Sequence, residues 1–259
     1  MRKEFKYILY ILFFGVLLGE CFLVLKAGRA SHHFETYQRY FTLSKYRLFV
    51  RPFLVLLLAP FVFKRYNNNY RDFFLYLGLL STFLADVFVL SQVSFLIYVG
   101  LSLYAISYLL LAESFNRLVK RLKYKISGLF VFLLTATILI DGLLIALPGW
   151  FDTLKYVLLG AHIADLFFFI NIVLKIRGKI KSKKTIQFIL IAITCIAFSN
   201  LIYGVSGFIF DFRHSSLDVA TAFLYGLFLF FLINSITYLK DRQHQKKDDF
   251  EESLSVVTK

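Results

Sequence analysis

Apolar segments of roughly membrane-crossing length recur about eight times along this chain, separated by short polar stretches, and so repeated a pattern leaves few folds open. In hydrocarbon every backbone N–H and C=O must be satisfied internally, which restricts a spanning chain to helices or a closed barrel. The segments are near 20 residues and do not alternate polar with apolar, so they read as helices. Their expected positions are residues 7–25, 48–63, 73–91, 94–114, 126–147, 153–174, 185–210 and 219–239. The composition agrees: 59% of the residues are hydrophobic, against roughly 45–50% in soluble domains. The expected fold is therefore an all-α, polytopic membrane bundle of about eight helices. The first apolar segment lacks a small-residue cleavage signal before Lys26 and is read as a retained helix rather than a signal peptide. Residues 1–240 form the membrane domain in this reading, followed by a polar, mobile tail over 241–259.

The net charge of +14 would suit nucleic acid on a soluble surface, but here Lys and Arg fill the short connections between apolar segments. That is the distribution that anchors a membrane protein on its cytoplasmic face, and nucleic-acid binding is not expected. Placing the N-terminus in the cytoplasm collects most of the 30 basic residues there and brings the C-terminus to the same side. The cell (inner) membrane is the expected location. One exception is the segment holding Lys26, Arg29, Arg39, Lys45 and Arg47 with His32, His33, Tyr37, Tyr40, Phe41 and Tyr46, which reads as an amphipathic stretch lying on the headgroups. Cys21 and Cys195 both lie in apolar segments, so a disulfide framework and a Cys-rich metal site are unsupported.

Ionisable residues inside apolar spans are costly and are read first as functional candidates. Asp86 is the clearest, and Glu20, Asp141, His162 and Asp165 accompany it. Counting 1.5 Å per residue along each helix places Glu20, Arg51, Asp86, Asp141 and Asn200 in the outer half or near the midplane, with His162 and Asp165 toward the middle of the sixth span. Glu113 sits at a helix end and pairs with Arg117 four residues on. His162 and Asp165, three residues apart, share a face and are weighed as a structural hydrogen-bonded pair, a proton-handling pair or, last, two metal ligands. Arg51-Pro52 reads as a plain helix start, Pro being harmless in a first turn, or as a guanidinium placed to meet a phosphate or Asp86. Ser81 to Asp86 faintly echoes Cys195 to Asn200, a weak hint of duplicated halves.

Arg51-Pro52 before a Leu-rich span, then Gly78-Leu79-Leu80-Ser81-Thr82-Phe83-Leu84-Ala85-Asp86, a short turn, and Tyr98-Val99-Gly100 opening an aromatic-rich helix together resemble the YhhN family. That family of multi-spanning proteins includes the animal lysoplasmalogenases. Phe198-Ser199-Asn200 is similar to its Ser-Asp segment, and residues 225–236 to its closing helix. The chain departs from the pattern in four places. Arg51 stands for Lys, Ala85 for Gly and Asn200 for the second Asp, and the fourth-helix His has no counterpart at Ile106 or Ser107.

The resemblance implies hydrolysis of the vinyl-ether bond of a lysoplasmalogen to a fatty aldehyde and a glycerophospho-headgroup, with no cofactor and no metal. Such a reaction begins with proton transfer to carbon and continues with water capturing an oxocarbenium-like ion, so it needs a proton donor, a negative charge and a held water. Asp86 is the expected acid. Asn200 cannot act as a base, so that role passes to Asp165 or His162 or is absent; Asn200 and Ser199 are expected to position water or a substrate oxygen and Arg51 to hold the phosphate, with Ser107 also contacting the lipid. The alternatives are a non-catalytic relative that binds a membrane lipid or lysophospholipid, and a small proton-coupled transporter. A retinal protein is disfavoured because neither of the last two spans carries a mid-depth Lys.

Overall fold

The computed structural model describes residues 3–30, 37–63, 70–91, 94–119, 126–146, 151–177, 180, 182–204 and 215–257. Eight α-helices occupy them: α1 (Lys3–Ala30), α2 (Tyr37–Phe63), α3 (Tyr70–Val89), α4 (Ser94–Val119), α5 (Ile126–Ala146), α6 (Phe151–Arg177), α7 (Lys183–Gly204) and α8 (Ser215–Val257). Among the described residues, five stretches are long and apolar enough to cross a membrane: Glu4–Lys26, Leu96–Arg117, Leu159–Arg177, Lys183–Tyr203 and Ser216–Leu239. Phe73–Val89 and Phe130–Ile140 are shorter apolar stretches. In α2, Lys45, Arg47 and Arg51 interrupt the apolar sequence.

The distribution of apolar side chains carries the membrane reading. Phe13, Phe115, Phe169 and Phe228 are fully buried at the centre, yet Phe49 is 74% exposed, Ile11 73% and Phe167 67%. Helices that are apolar on the outside as well as the inside need hydrocarbon around them. The order of packing is a ring, α1–α2–α3–α4–α6–α7–α8 and back to α1, with α5 set outside against α4 and α6.

Local chemistry explains several boundaries. Ser182 caps α7, its Oγ accepting from the Thr185 N–H at 3.3 Å. The α3–α4 hairpin closes tightly because Gly100 has no side chain: a Cβ there would lie 2.7 Å from the Val89 backbone nitrogen and 2.6 Å from its Cγ2.

One expectation is corrected. Arg51-Pro52 does not open a helix, since α2 begins at Tyr37 and carries Pro52 in its interior. Of the segment read as an amphipathic stretch on the headgroups, residues 26–30 end α1 and residues 37–47 open α2. Pro52 offers no N–H to the Leu48 carbonyl, and helices in bundles tolerate that loss where neighbours or local adjustment satisfy the freed group. A further difference concerns the tail, where α8 continues as helix to Val257. Lys, Arg, Gln and Glu, which are good helix formers, make up much of that extension. His32, His33, the basic residues 120–125 and the side chain of Asp141 lie outside the described residues.

Candidate functional site

Asp86 lies three residues before the end of α3 and is fully buried. Three groups from three other helices reach its carboxylate, one guanidinium as an ion pair and two hydroxyls as hydrogen-bond donors. Arg51 on α2 brings Nε to 2.8 Å from Oδ1. Tyr104 on α4 donates its hydroxyl to the same oxygen, and Tyr225 on α8 donates to Oδ2 at 2.8 Å. The cluster is cross-braced. Arg51 also donates Nη2 to the Tyr104 oxygen at 2.9 Å, and its guanidinium carbon lies 4.6 Å from the Tyr225 ring centroid, a cation–π contact. A charge pair this deep is tolerable only because the remaining lone pairs find donors. Both carboxylate oxygens are acceptors here, the arrangement of a fixed negative charge rather than of an acid with a proton to give.

A second polar group faces this one across a small cavity. His162 on α6 contacts the Asn200 Oδ1 on α7 through Nε2 at 2.9 Å, which assigns the ring proton to Nε2. Asn200 spends its two N–H bonds on the Tyr108 hydroxyl, at 3.2 Å, and on the Ile196 carbonyl, at 2.9 Å. Tyr104 and Tyr108 stand four residues apart on one face of α4, so a single helix serves both clusters. The cavity measures about 60 Å³ and is lined by Arg51, Tyr104, Tyr108, His162, Asn200 and Tyr225 together with Ser199, Tyr203, Thr221 and three apolar side chains. That volume suits a few water molecules or a small polar group.

The residues singled out from sequence separate into three sets. Arg51, His162, Ser199 and Asn200 line the cavity, and Asp86 sits directly behind Arg51, Tyr104 and Tyr225. Ser199 donates its hydroxyl to the Thr221 carbonyl at 3.1 Å, tying α7 to α8. Ser107 and Asp165 do not line the cavity. The Ser107 hydroxyl returns to the Tyr104 carbonyl on its own helix, at 2.8 Å, and Asp165 turns to Thr137 on α5, at 3.0 Å. His162 and Asp165 are therefore not a pair. Glu20 bonds to Arg47 at 2.9 Å, joining α1 to α2 one turn from Arg51. Among the described residues no group of three or more His, Cys, Asp or Glu is placed to hold a metal.

Sequence reasoning missed Tyr104, Tyr108 and Tyr225. The signal available was the spacing of Tyr104 and Tyr108, hidden among 16 tyrosines.

Tyr225→Phe removes one donor from Asp86 while leaving the Arg51 and Tyr104 contacts. Its expected cost is about 1.5 kcal/mol, the low end for a hydrogen bond to a charged group. Reversible unfolding in mixed micelles measures it, and a cost below a few tenths would mean that the hydroxyl contributes nothing to holding the carboxylate.

Compared with protein-family models, curated proteins and solved structures, the chain matches none of them.

Proposed function

We propose that this protein is an integral membrane hydrolase of the YhhN, lysoplasmalogenase-like type, cleaving the vinyl-ether bond of a lysoplasmalogen to a fatty aldehyde and a glycerophospho-headgroup. One observation carries the reading. The segments that bear the resemblance are far apart in sequence, yet Arg51, Asn200, Ser199 and Tyr225 meet around one cavity with Asp86 behind it.

In this reading Asp86, held by Arg51 and two tyrosines, supplies the negative charge behind the oxocarbenium-like ion. His162, which lines the same cavity, gives the proton in its doubly protonated form and takes one back from the attacking water, while Asn200 holds its Nε2–H. The proton goes to the alkene carbon, water adds to the cationic carbon, and the resulting hemiacetal collapses to aldehyde and alcohol. A cavity of about 60 Å³ takes the reacting group and a water, so the chain of the lipid lies outside it between helices. All eight helices cross the cell (inner) membrane in this proposal, with both termini in the cytoplasm. Support comes from the basic connections, which then fall on one side.

Asn200 in place of a second carboxylate favours one other reading, a lipid-binding relative that has lost the reaction. Purified protein incubated with an alkenyl-lysophospholipid separates the two. Aldehyde release is expected, falling about 100-fold in His162→Gln, in the range for loss of a general acid or base. Lipid binding without release would leave the binding reading, and neither binding nor release would remove both.

A further inference from the structure

Among the described residues, two buried carboxylates play no part in the proposed reaction, Glu20, which is paired with Arg47, and Asp165, whose surroundings are unlike those of either Glu20 or Asp86. Asp165 lies near the middle of α6, within the apolar stretch Leu159–Arg177, and is fully buried. Its Oδ2 is 3.0 Å from the Thr137 Oγ1, and its Oδ1 has no hydrogen-bond partner among the described residues. Among those residues no Lys, Arg or His forms an ion pair with it.

The Thr137 hydroxyl has one proton and two oxygens in range, because it is also 3.0 Å from the Leu133 carbonyl one turn earlier on α5. A threonine within a helix commonly donates to that carbonyl. If it does so here, the bond to Asp165 runs the other way, from a protonated carboxyl to the threonine oxygen. If it donates to Asp165 instead, an ionised carboxylate is left in an apolar interior with one neutral donor and no cation, a state costing several kcal/mol. The first arrangement satisfies both oxygens of the contact and buries no charge.

Among the described residues, the charged and titratable groups nearest Asp165 along the helices packed around it are engaged elsewhere or lie turns away. On α6, His162 bonds to Asn200, while Lys175 and Arg177 lie in the last turn. On α4, Tyr104 and Tyr108 bond to Asp86 and Asn200, and Glu113 bonds to Arg117. On α7, Lys183 and Lys184 open the helix, Tyr203 lines the Asp86 cavity and Cys195 is a buried thiol. The described side chains of α5, residues 130–140, include no charge.

We propose that Asp165 is a proton-binding site separate from the Arg51–Asp86 cavity: a neutral carboxylic acid inside the bundle that donates its proton to Thr137 and so clamps α5 onto α6. Because α5 sits outside the ring of the other seven helices, this polar clamp fixes a peripheral element. Bound proton and docked α5 are then one state, and loss of the proton leaves a bare charge that drives the two helices apart.

Infrared spectroscopy of the purified full-length protein at neutral pH tests this. The carbonyl stretch of a protonated carboxylic acid is expected, shifting on transfer to deuterium oxide. It should be lost in Asp165→Asn and kept in Thr137→Val, where it moves to higher frequency because the acceptor is gone. Absence of such a band from the native protein, or a band that Asp165→Asn leaves in place and Thr137→Val leaves unshifted, overturns the proposal. Should Asp165→Asn fail to fold, the Thr137→Val shift decides by itself.

Discussion

Asp86→Ala is expected to destabilise the protein by about 3–5 kcal/mol and to abolish aldehyde release, because it strands the Arg51 guanidinium in the bundle interior. The substitution removes the acceptor for two hydroxyls along with the ion-pair partner, so Tyr104 and Tyr225 also lose their partner. Asp86→Asn relieves this only in part. The amide keeps the shape but presents an NH₂ group to a site built of donors, and it leaves Arg51 uncompensated. The informative comparison is Arg51→Met combined with Asp86→Leu. Replacing both charges by apolar groups of similar volume is often neutral for a buried pair, so the double variant should recover most of the stability that Asp86→Ala loses. It should remain inactive, since the negative charge is gone. Equal destabilisation by the single and double variants would mean that the pair does not act as a unit. Aldehyde release surviving in the double variant would remove Asp86 from the reaction.

Gly100→Val should cost at least about 3 kcal/mol, at or beyond the upper end for overpacking a close contact. The space its side chain needs is occupied by the Val89 backbone nitrogen and by the Ala85 carbonyl oxygen, 3.1 Å from a built Cβ, so α3 and α4 must separate. Tyr104 is one turn further along α4, and moving that helix draws its hydroxyl off Asp86, so stability and activity should fall together. Gly226 on α8 is a useful contrast. There a Cβ would meet Leu17 at 2.3 Å, but the obstacle is the tip of a flexible side chain. Gly226→Ala should therefore cost less than Gly100→Ala. Equal costs, measured by unfolding in mixed micelles, would show that the α3–α4 contact is no tighter than the rest of the bundle.

Most helices were legible because a long apolar segment has few alternatives in hydrocarbon. Where the reading failed, the residues carried no such signal. The first turns of α2, residues 37–47, mix aromatic and basic residues without an apolar run, and Pro52 imitates a helix start. The helix α2 nevertheless runs through both. Asp86 was visible as a candidate because a carboxylate inside an apolar run is costly wherever it ends up. Its partners were not. Helix periodicity says that Tyr104 and Tyr108 share a face, but not that the face turns toward α2, α3 and α8 rather than toward lipid.

His162 and Asp165 show the same boundary from the other side. Three residues at 3.6 per turn leave about 60° between two side chains, near enough to call them neighbours from sequence. In a crowded bundle that angle is also wide enough for them to face different helices. His162 meets α7 and Asp165 meets α5.

By itself, then, the sequence determined an all-helical chain with apolar segments suited to a membrane and a carboxylate at Asp86 that had to find a partner, because backbone hydrogen bonding and charge desolvation act on each segment wherever it packs. Only the tertiary structure decided that the partners are Arg51, Tyr104 and Tyr225, that His162 and Asn200 share their cavity, and that Asp165 stands apart with Thr137. Those choices depend on which helix faces meet, and apolar faces of similar composition leave helix rotation and order to the packing of the whole bundle.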